Sequence, residues 1–347
     1  MKKLIFIIFV LFLFSQCRND ETVFFSSFTN EEKLIGKPID WVANIQAMDF
    51  LIVDSLLVIV DDADEFYISI YDLNRKQLLC KLFRKGKGPN ELFDQPWLVG
   101  EAPKGMTTGK IVFDDPGREE RCILDIKASI VAKKPIISKK YHIPNLFIRG
   151  YYVNDSIIIK SFYGENGYVL KYYNLENGQE VGKPNPINST ENKFIRKYGW
   201  SAKMTKIIPS PDKQYLVGLF YHHKRINIYS NDGKLLKIFQ DKKSNGKLFS
   251  ESIQSPRDLD KLPILFSNCL LTKDYMIVIC ENRLTGETGL TSLYVFDYFG
   301  NPLYKYNLDR HIFSECYFDW SSSTLYAFDL YNFEIVSYYL DDLKRNY

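Results

Sequence analysis

The side chains with the most chemistry in this 347-residue sequence are few and scattered. Its four histidines are His142, His222, His223 and His311. Adjacent His222 and His223, if on a strand, point to opposite faces and cannot share an ion in regular geometry. No His-x-His or Cys-x-x-Cys spacing marks zinc, and no Gly-x-Ser-x-Gly elbow marks a serine hydrolase. An acidic cluster, Asp61, Asp62, Asp64 and Glu65, offers oxygen ligands but lacks the glycine and distal glutamate of a calcium loop. Asp114 and Asp115 occupy the equivalent place in a second copy of the pattern, which favours turn formation over a metal site. No metal or cofactor is expected.

Four tryptophans, Trp41, Trp97, Trp200 and Trp320, could stack on a sugar or anchor a partner. Trp97 and Trp200 each lie near a loop and are the candidates for a binding face. Five cysteines follow the amino-terminal region: Cys80, Cys122, Cys269, Cys280 and Cys316. Their odd number, wide spacing and apolar surroundings point to small buried thiols rather than disulfides. Cys269 and Cys280 are the nearest pair in sequence, and they fall out of simple cross-strand register.

A sixth cysteine has a different setting. Met1, Lys2 and Lys3 lead into an apolar run from Leu4 to Phe14, then Ser15, Gln16 and Cys17. A positive start and a short apolar core are the parts of a secretory signal, and the run is too short to span a bilayer. A cysteine directly behind such a core resembles the lipobox of bacterial lipoproteins, in which it is acylated and becomes the new amino terminus. That resemblance implies a signal peptide over 1–16, lipidation at Cys17, and a polar tether over 17–30 carrying Asp20 and Glu21. It implies export and a membrane anchor, most naturally the outer membrane, on its periplasmic or surface side.

Composition narrows the remainder. Aromatic residues make up 15%, with 24 Tyr and 25 Phe, a bias toward pleated sheet. The net charge of +3 comes from 45 basic and 42 acidic residues with no long block of either sign, unlike a nucleic-acid binder. No window of helical length carries a sustained apolar stripe.

The elements that must position these side chains recur as an apolar strand, a polar break, a second strand, a tight turn and a third strand. Copies run from Ser55 to Phe83, Gly109 to Asp125, Ser156 to Val181, Gln214 to Phe239, Tyr275 to Tyr306 and Thr324 to Leu340. Asn231-Asp232-Gly233 and Asn177-Gly178 are hairpin signals, since these residues tolerate positive φ. Anchoring on Tyr71, Leu124, Tyr173, Tyr229, Phe296 and Phe328 gives spacings mostly near fifty residues, the period of propeller blades. The expected fold is all-β, a six-bladed propeller over 31–347. The last copy supplies three strands, so Thr22 to Phe28 is expected to complete the last blade.

The loop from Arg84 to Leu92 contains Gly86, Gly88, Pro89 and Glu91. A Gly-x-Gly-Pro-x-Glu loop after the first blade, behind a lipoprotein signal, resembles the TolB-like six-bladed propeller lipoproteins; Asn90 and Leu92 stand where that family often has Gly and Phe. The resemblance implies a fold and an address without an activity. From the residues alone, the glycines and proline give a crossing between blades a fixed shape. A phosphate cradle fits less well, because the spacing differs and no helix follows.

The function expected is a binding module in the cell envelope, with a protein, peptide or glycan as partner. The alternative is an envelope lyase or hydrolase acting on glycan or peptide in the central channel, motivated by fold analogy. Converging His, Tyr, Arg or carboxylate groups in the channel would favour the second.

Overall fold

The computed structural model describes residues 21–42, 45–101, 109–143, 151–154, 156–164, 167–182, 193–194, 197, 204–242, 262–272, 274–284, 287, 289–319, 322–340 and 343. Three short strands come first: β1 (Glu21–Phe25), β2 (Asn30–Leu34) and β3 (Lys37–Pro38). Blade I is β4 (Ala47–Val53), β5 (Leu56–Asp61), β6 (Phe66–Asp72) and β7 (Gln77–Lys85), with β8 (Glu91–Leu92) added in parallel. Blade II is β9 (Trp97–Glu101), β10 (Lys110–Asp115), β11 (Glu120–Asp125) and β12 (Ile137–His142). Blade III is β13 (Tyr151–Asn154), β14 (Ile157–Gly164), β15 (Gly167–Asn174) and β16 (Glu180–Val181).

Blade IV is β17 (Met204–Pro209), β18 (Tyr215–Phe220), β19 (Arg225–Ser230) and β20 (Leu235–Asp241). Blade V is β21 (Ile264–Leu271), β22 (Tyr275–Arg283), β23 (Ser292–Asp297) and β24 (Pro302–Leu308). Blade VI is β25 (Ile312–Asp319), β26 (Thr324–Asp329), β27 (Glu334–Tyr339) and β3. These six antiparallel sheets form a six-bladed β-propeller.

Each blade is covered on both sides by its neighbours, so its middle strands are apolar on both faces. In β5, Leu57 and Ile59 pack toward blade VI while Val58 and Val60 pack toward blade II, the period of two expected of a strand. The core is therefore a set of wedges between blades, not one central mass. Five such clusters fill the junctions I/II, II/III, III/IV, IV/V and the V–VI–I sector. The inner strand of every blade shifts register against its neighbour. Such bulges bend and twist a strand locally. Between β11 and β12 lies a short α-helix, α1 (Ile126–Ala132), capped by Asp125, which accepts from the Ala128 N–H at 2.9 Å.

Inner strands all begin on one side of the disc, here the upper face, which also carries the loops between second and third strands. The lower face carries the other hairpin loops. Contacts between blades join like with like: Arg118 of blade II donates to carbonyls of the upper I–II crossing, and Lys127 pairs with Asp54 below.

The ring closes through the amino-terminal region, but not with the segment expected. β3 completes blade VI, pairing antiparallel with β27, and the Ile39 N–H donates to the Ile335 carbonyl at 2.8 Å. Residues 22–28 lie elsewhere: β1 runs parallel to β20 on the outer edge of blade IV, and β2 parallel to β24 on blade V. The reason is one of connection. In every other blade the outer strand comes before the next blade's inner strand along the chain, so by the same order the strand completing blade VI is the one that precedes β4. Phe25 is buried there all the same and Phe28 partly so, 4.9 and 5.3 Å from the Phe296 ring, while Phe24 stays exposed. The expected tether is thereby shortened, because from Glu21 onward the chain already belongs to the propeller.

Candidate binding site

On the upper face, at the junction of blades V and VI, lies a pocket of about 430 Å³. Three connections build it: the loop between β22 and β23 with Gly289 and Leu290, the crossing from β24 to β25 with Asp309, Arg310 and His311, and the β26–β27 turn with Tyr331 and Asn332. The turn is fixed by Asp329, which accepts from the backbone N–H of Tyr331 and Asn332 at 2.9 and 3.2 Å and from Asn332 Nδ2 at 2.8 Å. Burial acts to raise the Asp329 pKa, but these bonds and Arg310 outweigh it and hold the carboxyl below its ordinary range.

Arg310 is ringed by acids, 3.1 Å from Asp329, 3.8 Å from Asp309, and bonded to Glu334. Asp309 is itself fixed by the Gly36 N–H and the Tyr338 hydroxyl, each at 3.0 Å. Three carboxylates around one guanidinium leave the pocket negative at neutral pH. His311 stands in the wall, 3% exposed, its ring 5.5 Å from that of Tyr331. Burial, with Arg283 nearby, depresses its pKa to about 4, so the imidazole is neutral. Both ring nitrogens are buried, and the Gly289 backbone can meet only one of them, so at least one has no hydrogen-bond partner. A neutral imidazole has one donor and one acceptor to offer. Leu290 and Tyr331, both exposed, form an apolar rim above it.

The sequence-based candidates lie apart from this pocket. Trp97 begins β9 on the upper face of blade II and is half-buried, opposite Asp114 in register. Trp200 and Cys17 lie outside the described residues. The Gly86–Glu91 loop forms the upper crossing between blades I and II. There Glu91 turns its carboxylate back onto the Gly88 N–H at 2.7 Å, and Arg118 clasps the Gly88 and Glu91 carbonyls at 3.2 and 2.9 Å. A Cβ on Gly86 would stand 2.2 Å from Glu91 Oε2, which explains the glycine.

The acidic cluster is a ladder of ion pairs to β7: Asp62 with Lys85, Asp64 with Lys81 and Glu65 with Arg84, while Asp61 accepts from the Gln46 and Ala63 N–H groups at 2.9 Å. His222 and His223 are in the turn after β18, not on a strand as the sequence suggested; His222 Nδ1 is 3.1 Å from the Pro263 carbonyl and His223 packs on Phe194. The five described cysteines are free and buried. Among the described residues no three His, Cys, Asp or Glu side chains converge to hold a metal ion.

Two other polar groupings stand out. Arg121 and Asp114 form a fully buried bidentate pair at 2.7 and 2.9 Å between blades II and III, with the Tyr152 ring 4.9 Å from the guanidinium. Across the ring, Lys206 on the inner strand of blade IV meets Glu315 on that of blade VI at 2.7 Å, bridging past blade V. The pocket at V/VI escaped sequence reading because Arg310, His311 and Tyr331 form no motif. Their one signal is an Asp-Arg-His run where an outer strand hands over to an inner one.

No family model matches the chain, and no curated protein matches its sequence. Among solved structures it is similar to a member of the DUF4221 family from Bacteroides vulgatus, at 12% identity and TM-score 0.51, over 88% of this chain and 96% of that one. It is also similar to a luciferin-regenerating enzyme at 11% identity and TM-score 0.48, over 88% and 95% of the two chains. A third is the calcium-binding protein regucalcin from Agrobacterium tumefaciens, at 8% identity and TM-score 0.49, over 90% and 95%. At such identities the likeness to the first bears on the fold alone.

Proposed function

We propose that the protein is a binding module whose ligand site is the upper-face pocket between blades V and VI. The observation that carries this is His311, a neutral imidazole buried in the pocket wall with at least one ring nitrogen lacking a partner. Buried polar groups are normally paired, and one left open at a pocket wall suits a bond completed by a ligand. The negative surround of Asp309, Asp329 and Glu334 disfavours anions. Tyr331 provides a face for stacking, and Asp309 and Asn332 provide polar atoms beside it. That is the chemistry of a neutral or amino sugar with its hydroxyls turned inward.

The setting is the cell envelope. Residues 1–16 act as a lipoprotein signal, Cys17 carries the lipid, and the chain is held at the outer membrane as a TolB-like propeller. The apolar run ending at Ser15-Gln16-Cys17 and the Gly86–Glu91 loop support this placement. An enzymatic role in the channel has less support, since Lys206 and Glu315 there neutralise each other.

The test is a glycan array probed with the exported protein and with Tyr331→Ala and His311→Ala. Retention of a neutral or amino sugar, weakened about tenfold by loss of the stacking ring, is the expected result, a change equivalent to roughly 1.4 kcal/mol. Retention of nothing, or retention indifferent to both substitutions, removes the assignment.

A further inference from the structure

The lower edge of blades IV and V holds an aromatic side chain in a position that burial within the fold does not explain. Phe299, at the tip of the β23–β24 turn, is 70% exposed. It is not there through slackness. Asp297 braces the turn by accepting from the Phe299 and Asn301 N–H groups, each at 2.9 Å, and from Asn301 Nδ2 at 2.7 Å. Gly300 lets the turn lie directly on Phe239, where a Cβ would come within 2.4 Å of the ring, at φ +92°. Beside it Tyr298 is tied to the Thr272 carbonyl at 2.7 Å and faces the half-exposed Tyr215 ring at 6.3 Å. A rigid tip thus presents one bare ring flanked by two amphipathic ones.

The chain enters the propeller at this same place. Glu21, the first residue of β1, pairs with Lys237 at the lower end of blade IV, and the Lys237 ammonium lies 5.1 Å from the centre of the Phe299 ring. Cys17 is four residues before Glu21, so whatever path those residues take it lies within about 14 Å of Glu21. An acylated Cys17 sits at the bilayer surface. Amphipathic rings and lysines are the side chains that favour the headgroup layer, and an interfacial apolar group sinks roughly 5 to 10 Å into it.

We infer that the lower rim at the junction of blades IV and V rests on the lipid bilayer, with Phe299 seated in the headgroup layer and Tyr215 and Tyr298 beside it. The upper face, with the pocket between blades V and VI, is turned away from the membrane and open to a ligand. This inference rests on the lipid anchor at Cys17 proposed above.

The experiment uses the full acylated protein in vesicles of phosphatidylethanolamine and phosphatidylglycerol. A nitroxide is attached at Phe299→Cys or, as a matched control, at Phe93→Cys, an upper-face residue of comparable exposure at 56%. The native thiols described are buried, which pushes Cys122 up to about 12 and Cys280 to about 11, so they do not compete for the label. Expected are an acyl mass on Cys17, several-fold more frequent collision of the label at 299 with bilayer-dissolved oxygen than with a water-soluble nickel chelate, and the reverse at 93. Acylated, vesicle-bound protein with the label at 299 in water, or with the label at 93 immersed, overturns the inference and leaves the anchor standing. Absence of the acyl mass overturns both.

Discussion

At the scale of single residues, the fold places charge where it is expensive and then satisfies it locally. Arg121 and Asp114 are both fully buried and bonded through two contacts. Removing one partner of such a pair strands the other in a medium that cannot solvate it. Arg121→Met is therefore expected to cost roughly 3 to 5 kcal/mol in urea unfolding, although it removes no apolar contact of comparable worth. His311 makes the opposite demand, since it is kept uncharged. Its folded pKa of about 4 lies below the ordinary 6.5, through burial first and the neighbouring Arg283 second, with Asp329 acting weakly the other way. Between these values the unfolded chain takes up a proton that the folded one refuses. Stability attributable to this residue is thus intact above pH 6.5 and is lost as pH falls toward 4, by about 3 kcal/mol in all. His311→Phe should flatten that part of the acid unfolding profile, and an unchanged slope would show that the imidazole titrates freely.

At the scale of elements, the crossing between blades I and II shows how a short motif acts without being a ligand site. Glu91 folds its carboxylate over the backbone of Gly86 and Gly88, and Arg118 pins the result. Gly86→Ala is expected to expel the Glu91 side chain and cost about 1 to 2 kcal/mol, with the loss visible as a lower thermal midpoint. Some elements could be read from the sequence and others could not. Second and third strands such as Leu56–Asp61 and Phe66–Asp72 are buried on both faces, so they stand out as dense apolar runs bounded by Asp or Asn turns. Inner strands such as Trp97–Glu101 and Tyr151–Asn154 are short and bulged, which interrupts the alternation that would reveal them. The sixth copy illustrates the resulting slip: Phe328 lies on the second strand of its blade, and the true counterpart of Tyr71 and Tyr229 is Tyr338, on the third. The helix α1 escaped because seven residues are too few to show a stripe. The pocket escaped because its residues come from three connections that meet only once the ring is formed.

At the scale of the whole molecule, the ring is sealed by two residues of β3 and reinforced by β1 and β2 on neighbouring edges. These contributions are separable. A chain lacking residues 1–28 retains β2 and β3 and is expected to unfold in a single, less stable transition. A chain lacking residues 1–38 leaves β27 with a bare edge and blade VI a strand short, and is expected to unfold in more than one step, with blade VI opening first. Circular dichroism against hydrogen exchange at blade VI distinguishes the two; identical profiles would assign closure to the wedges between blades instead.

The amino-terminal belt also governs the order in which the molecule can come into being. Ser337 Oγ bonds the carbonyl of Lys37 from 300 residues away, and β1 waits for β20 in the same manner. A polypeptide made from its amino end holds its latch from the start and receives the catch last. Contacts of such span form slowly, so the ring cannot lock until its final strands have arrived, and every earlier stage of the chain is an open, unlatched one.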